Sequence, residues 1–334
     1  WIRRGPPAGP PEDAPPAMNR PSLAALTLGA SALAACGSPE GEPTPAPESQ
    51  AEGAAAEDFR GRIYERNLVF ATFTGDSAFV VPWLVSAQTR PGGVLRQARG
   101  LLARGGSWEA FYEEAWETPP TRTPWRILPH GSLRLVVGEG DAVEGVIFSE
   151  GQRQLELEIT GGALIEWTGM RGQVYRLMDG AAYLSDQRVG GLILDMSRVH
   201  GAEEAAHGDW AFLTSGDSLQ VILENPTASP PGTPGGCRIW ARLDYRDLQW
   251  PSVTVDWAEV SAYQPARQDI PVSWTVTSDD GEVSGVLEVQ SAHVEAGEGP
   301  GPLLPVDALF LVAGTLRLEG RSFPVRGLFR HTRP

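Results

Sequence analysis

Lysine is absent from this chain; all 27 basic residues are arginine. That excludes chemistries built on a lysine amine: the P-loop, the protein-kinase nucleotide site and the pyridoxal-phosphate Schiff base. Basic groups are also outnumbered by 42 acids, for a net charge of −15. Nucleic acids are bound chiefly through basic groups on phosphates, so no nucleic-acid partner is expected. Histidine is sparse. His130, His200, His207, His293 and His331 fall in no HExxH, HxH or CxxC…H spacing, so neither a metal site nor a cofactor is expected. Asparagine is confined to Asn19, Asn67 and Asn225, while Ala, Gly, Pro and Arg abound. This is the usage of a GC-rich genome, so the arginines are not read as selected for bidentate recognition.

The first methionine is Met18, and residues 1–17 are proline-rich, read as an upstream extension rather than structure. Arg20 then provides a positive n-region, and Leu23 to Ala35 is an unbroken run of small and apolar residues. The run suits a signal-peptide core and is too short to span a bilayer. It ends in Leu33-Ala34-Ala35-Cys36-Gly37. Leu-Ala-Ala-Cys after such a run resembles the lipobox of bacterial lipoproteins. The resemblance implies residues 18–35 as signal peptide, cleavage before Cys36, a diacylglyceride on Cys36 and an acylated, palmitate-type N-terminus. Gly37 in place of aspartate implies sorting to the outer membrane, facing the periplasm. Membrane lipid is then a partner, since each buried CH₂ contributes about 0.8 kcal/mol and several chains anchor firmly. Residues 36–57 are rich in Pro, Glu, Ala and Ser and read as a flexible tether. With Cys36 acylated, Cys237 has no disulfide partner and is read as inert.

Beyond the tether the chain reads as strands. Leu133 to Val137, Leu155 to Ile159 and Val253 to Trp257 carry apolar residues at strand period, separated by Gly, Pro and Asp turns. One or two short helices are expected: Trp108 to Trp116 capped by Ser107, and Val94 to Leu102, which Gly100 weakens. Self-similarity is also present. Gly75-Asp76-Ser77 parallels Gly216-Asp217-Ser218, Val143 to Ile147 parallels Val283 to Leu287, and Gly172 to Leu177 parallels Gly320 to Val325. The spacing stays at roughly 140–148 residues, with residues 296–302 a loop insertion in the second copy. A duplication follows, with units over 58–198 and 199–334 and the junction near Val199.

The Gly-Asp-Ser triplets read as hairpin turns, because neither continues into the G-x-S-x-G of a nucleophile elbow. Asp279-Asp280-Gly281-Glu282 lacks calcium-loop spacing and also reads as a turn. The expected fold is all-β: two tandem antiparallel barrels or sandwiches. The paired units, Trp210 ahead of the second Gly-Asp-Ser turn, and the closing pair Gly314 to Arg321 and Val325 to Gly327 resemble the tandem lipocalin-like family that includes carotenoid 1,2-hydratase. That resemblance implies lipocalin-like barrels and, if the chain is an enzyme, a hydro-lyase. No hydratase catalytic position is matched.

His207 and Asp209 beside Trp210 form one candidate for proton transfer to a polyene, against the plainer reading of a loop leading into a strand. Most tryptophans are expected in barrel cores. For a ligand wall the aromatic side of the second copy is the candidate: Trp210, Trp240, Tyr245, Trp250, Trp257 and Tyr263. Three functions compete. The leading one is a membrane-anchored lipoprotein binding an apolar small molecule such as a lipid, terpenoid or pigment. The others are a hydratase or cyclase acting on a terpenoid at the barrel interface, and a structural or assembly lipoprotein with solid barrels.

Overall fold

The computed structural model describes residues 61–74, 77–126, 129–137, 143–169, 172–184, 187–201, 209–225 and 237–333. Cys36, its signal peptide and the tether lie outside them. The strands are β1 (Arg62–Thr74), β2 (Ser77–Arg90), β3 (Gly93–Arg104), β4 (Ser107–Thr118), β5 (Leu133–Val137), β6 (Val143–Glu150), β7 (Arg153–Thr168), β8 (Val174–Leu184) and β9 (Gln187–Gly201). After residues 202–208 follow β10 (Asp209–Thr214), β11 (Leu219–Asn225), β12 (Cys237–Leu243), β13 (Arg246–Tyr263), β14 (Gln268–Ser278), β15 (Val283–Ala296), β16 (Val306–Leu318) and β17 (Arg321–Arg333). A 3-10 turn, Gln264–Ala266, precedes β14. The first nine strands form one curled sheet in the order β4-β3-β2-β1-β9-β8-β7-β6-β5, and the last eight close into a barrel.

Neither expected helix exists. Both segments are strands, β3 and β4, joined by Gly105-Gly106 with φ of 57° and 85°. Two successive positive φ values make the tight turn that suits a hairpin. The Ser107 hydroxyl donates back to the Arg104 carbonyl (2.9 Å) instead of capping a helix. Strand β4 also departs from strict alternation, for a local reason. The β3–β4 register slips between Gly100 and Leu101, leaving Phe111 opposite no residue, so Phe111 and Tyr112 both pack in the sheet's concave core. A bulge breaks the period of two and imitates a longer one.

Strand order tests the duplication directly. Outward from β1 run β2, β3, β4 on one side and β9, β8, β7, β6 on the other; outward from β10 run β11, β12, β13 and β17, β16, β15, β14. β1 pairs antiparallel with β9, and β10 with β17. The tandem arrangement therefore holds, and β5 is the additional strand. At the Gly-Asp-Ser landmarks, Ser77 opens β2 in the first unit, and in the second Gly216, between β10 and β11, has a positive φ of 61°. The other two landmarks are one strand out of step, matching β6 to β15 and β8 to β17. The equivalent segments are instead Val189-Gly190-Gly191-Leu192 and Val325-Arg326-Gly327-Leu328. Leu192 faces Ala71 and Leu328 faces Phe212. A Cβ on Gly191 would lie 2.6 Å from the Ala71 carbonyl, and one on Gly327 1.9 Å from the Phe212 carbonyl. Val199 lies within β9, opposite Tyr64.

An unbroken run of reversals from β1 to β9 would make those strands parallel. They are antiparallel, so one consecutive pair shares a direction, and β4 and β5 are the consecutive pair that does not bond. β4 therefore ends, and β5 begins, at opposite ends of the sheet. Arg96, fully buried, donates to the Pro124 carbonyl (2.9 Å) and to that of Arg126, while Trp125 lies on Tyr64 (5.8 Å). These contacts fasten the link between β4 and β5 across the lower end of the concave face. The final residues of β1, β3, β6 and β8 define the upper end.

Each sheet has its own core. Trp83, Phe70, Phe148 and Leu157 fill the concave face of the first, and Trp274, stacked on Phe329 (4.3 Å) and edge-on to Phe310 (5.5 Å), fills the barrel. A third apolar cluster joins the two. Val69, Ala71, Leu194 and Met196 of the first sheet meet Trp210, Phe212, Leu309 and Leu328 of the barrel. β1 and β10 are consequently buried on both faces, which explains the continuous runs Leu68-Val69-Phe70-Ala71 and Trp210-Ala211-Phe212-Leu213.

Barrel closure at Gly327 yields a prediction. Gly327→Ala forces the Cβ into the Phe212 carbonyl, a backbone atom that cannot step aside, and should cost about 3 kcal/mol. A urea unfolding midpoint unchanged from wild type would show that the closing pair does not have this geometry.

Candidate functional site

The period of two continues past the ends of the seam. On β1 the seam-facing positions run Ala71, Val69, then Asn67 and Glu65. On β9 Leu194 and Met196 give way to Arg198 and His200; on β17 Leu328 gives way to Arg330. On β16 Leu311 and Leu309 lead to Asp307, and on β3 Ala103 and Leu101 lead to Arg99. Charge is thus delivered to one end of the seam by strands whose next positions are core.

These groups are connected. Arg330 grips Asp307 with both arms (3.1 Å from Nε to Oδ1, 3.0 Å from Nη2 to Oδ2) and reaches the Asn67 amide oxygen at 3.5 Å. Arg99 joins Asp307 (3.4 Å) to Glu295 (2.7 Å), whose carboxylate also meets His293 Nε2 at 2.7 Å. Glu65 is paired with Arg198, and its Oε1 lies 3.7 Å from His200 Nε2. Burial opposes ionisation of Glu65, but His200, Arg198 and Arg330 outweigh it and hold its pKa at about 2. Asp307 is likewise lowered against its burial, by Arg330 and Arg99. Arg330, buried, is raised by Asp307 and Glu65.

Two spaces open on this cluster. A cleft of about 410 Å³ is lined by Glu65, Asn67, Leu84, Arg99, Asp307 and Arg330, with Glu113 and Glu114 of β4 at its side. A hollow of about 30 Å³ shares Glu65 and Asn67 and adds Tyr175, Asp209, Trp210 and Glu224. That volume suits a single water, which needs about 10–15 Å³ on this measure and polar partners around it. Burial, and then the charge of the nearby Glu224 carboxylate, push the Tyr175 phenol well above 10.

The residues singled out in the sequence are dispersed. His207 and Cys36 lie outside the described residues. Asp209 is buried and accepts from His331 Nδ1 (2.8 Å) and the Thr332 amide (3.1 Å), so it fastens the end of β17 to the start of β10. Trp210 lines the hollow. Trp240 lies in the seam against Tyr175 (5.8 Å) and Trp167 (6.3 Å). Trp250 is barrel core, its indole N–H donating to Glu282 (3.2 Å). Trp257 meets His331 edge-on (5.3 Å) with Arg333 over its ring (5.2 Å). The Tyr263 hydroxyl donates to the Val294 carbonyl (2.9 Å). Tyr245 is 81% exposed in the β12–β13 turn. The six aromatics therefore do not line one wall. Glu65, Arg99, Arg198, Asp307 and Arg330 were not singled out; their signal is a charge placed where apolar alternation has just stopped.

No protein-family profile and no curated protein matches the chain. Among solved structures, kievitone hydratase from Nectria haematococca is similar at 12% identity with a TM-score of 0.53, over 82% of this chain and 90% of that one. A candidate AttH from Nitrosomonas europaea is similar at 12% identity with a TM-score of 0.54, over 88% and 99%. The likeness is one of fold alone: tandem antiparallel barrel units.

The Glu65 cluster sets a pH dependence. A carboxylate lowered from 4.5 to about 2 contributes stability above pH 4.5 that disappears as pH falls through 2. Glu65→Gln should lower unfolding free energy by about 2–3 kcal/mol at pH 7. Urea titrations of both proteins from pH 7 to pH 2 should show that gap narrowing with acid. A gap independent of pH would contradict it.

Proposed function

We propose that this chain is a membrane-tethered small-molecule-binding protein, anchored through an acylated Cys36 at the periplasmic face of an outer membrane, that holds its ligand in the cleft at the seam of the two units. The observation carrying the reading is the convergence there of Arg99, Asp307 and Arg330 around a 410 Å³ space, within the range of ligand sites. The filled centre of the second barrel directs attention away from its interior. The cleft is lined mainly by charged and polar side chains, with Leu84, Val85 and Ala115 as its apolar members, so the ligand it suits is a polar or amphipathic small molecule rather than a wholly apolar one.

A second reading, a hydratase, is favoured by the hollow next to the cleft. Glu224 and Tyr175 flank a space for one water. Hydration of a C=C bond needs a proton on one carbon and water oxygen on the other, and an acid–base pair beside a confined water supplies both. The solved relative from Nectria haematococca is a hydratase by name, at an identity that carries fold alone.

For the anchor, wild type expressed in a lipoprotein-processing bacterium should take up labelled palmitate and Cys36→Ala should not; equal labelling removes the anchor. For the ligand, organic extraction and mass spectrometry of native protein should yield a small molecule that Arg99→Gln fails to retain. On the hydratase reading that molecule appears as a pair differing by one water, and Glu224→Gln retains the unhydrated member alone. Extracts identical between wild type and Arg99→Gln would remove the cleft as the binding site.

A further inference from the structure

A separate cavity of about 230 Å³ lies at the upper end of the first sheet's concave face, lined by Leu102, Phe111, Phe148, Leu155, Leu184 and the ion pair Arg153–Glu109, with Gln152 and Gln154 beside it. It is on the face opposite the seam and at the opposite end from Glu65. Its existence follows from the topology. Because β4 and β5 do not pair, the sheet is not closed as the barrel is, and the 119–132 link fastens the lower end of the concave face. Core aromatics fill the middle. Phe111 stands edge-on to both Trp83 and Phe148 at 5.0 Å. Above them remain an apolar floor and a charged rim.

We propose that this cavity is a second binding site, for a small amphipathic carboxylate whose apolar body lies on Phe111, Phe148 and Leu155 and whose carboxylate takes Arg153 from Glu109. The apolar part is set by the lining. An apolar cavity of about 150 Å³ accommodates benzene, so 230 Å³ has room for one ring and a short side chain. The polar part is set by Arg153. One guanidinium N–H group, on Nη2, meets Glu109 Oε1 at 2.8 Å, and no other protein acceptor engages it among the described residues. A guanidinium offers two parallel N–H bonds to a carboxylate, so a ligand gains a bidentate contact where Glu109 has a single one. The pair is exposed, 59% on Arg153 and 50% on Glu109. Exposed pairs hold weakly, so exchange of one carboxylate for another is easy. A cation would have to displace Arg153 and would gain no second bond.

The test is calorimetric titration of the full chain with 3-phenylpropionate and with 3-phenylpropan-1-ol, the same body without the charge. The acid should bind at least tenfold tighter than the alcohol. Arg153→Gln should erase that preference and leave the alcohol unchanged, whereas Glu109→Gln should tighten the acid severalfold by removing its competitor. Leu102→Trp should abolish both by filling the cavity. Arg99→Gln, in the seam cleft, should change neither, which separates this site from the seam reading. Equal affinities for acid and alcohol, acid binding unaffected by Arg153→Gln, or no saturable binding at millimolar ligand would each overturn the proposal.

Discussion

Burial of β1 and β10 on both faces is the constraint from which the rest follows. Each strand supplies one side chain in two to its own sheet's core and the next to the seam, as Phe70 and Val69 do on β1 and Leu213 and Phe212 on β10. Burying each such side chain contributes roughly 1.5–3 kcal/mol, and the sum over the seam is what allows charges to be carried in at its end. The Arg330–Asp307 pair is costly on its own, because desolvation of two ions offsets much of their attraction. Its bidentate geometry and the added contact to Arg99 recover part of that cost. The ionic cluster therefore defines where the units stop packing and a cleft begins; the apolar seam holds them.

The same constraint explains what was legible in the sequence. Strand content and the tandem arrangement follow from alternation and turn residues, which are local, and Gly216 and Gly281 have the positive φ their turns need. The helix expected over Trp108 to Trp116 rested on Ser107 as a cap, a residue that serves a hairpin turn equally well, as its bond to the Arg104 carbonyl shows. The landmark pairing failed for a different reason. β5 adds a strand without changing the number of residues between landmarks enough to be noticed, so spacing alone matched β6 to β15. A glycine pressed against a carbonyl, Gly191 or Gly327, carries more positional information than a run of valines, because a closing strand pair leaves no space for a Cβ there.

The candidate site was harder to see, since its members come from β1, β3, β9, β16 and β17 and no short motif joins them. Aromatic density pointed to Trp240, Trp250 and Trp257, yet large side chains serve cores as readily as cavities, and here they are divided among the seam, the barrel core and the barrel's end. Among the described residues the histidine that meets Asp209 is His331, from the far end of the chain, while His207 lies outside them. Antiparallel closure brings the last strand onto β10 and so sets His331 against Asp209.

The two units differ in one respect that bears on function. The barrel is closed, and Trp274, Phe310 and Phe329 occupy its centre, so it behaves as a packed body against which the first sheet is set. The first sheet has an added strand, a link between its opposite ends and no bond between β4 and β5. Closure removes strand edges but fixes the enclosed volume; an open sheet keeps two edges and can leave space between them. Arg96 compensates for the missing ladder at the lower end, where its buried guanidinium, its pKa lowered by burial, binds the carbonyls of the link. At the upper end an exposed ion pair takes the place of such a fastening. The chain thus has one unit that supplies rigidity and one whose incomplete closure leaves polar groups beside apolar space, an arrangement that a solid pair of barrels would not provide.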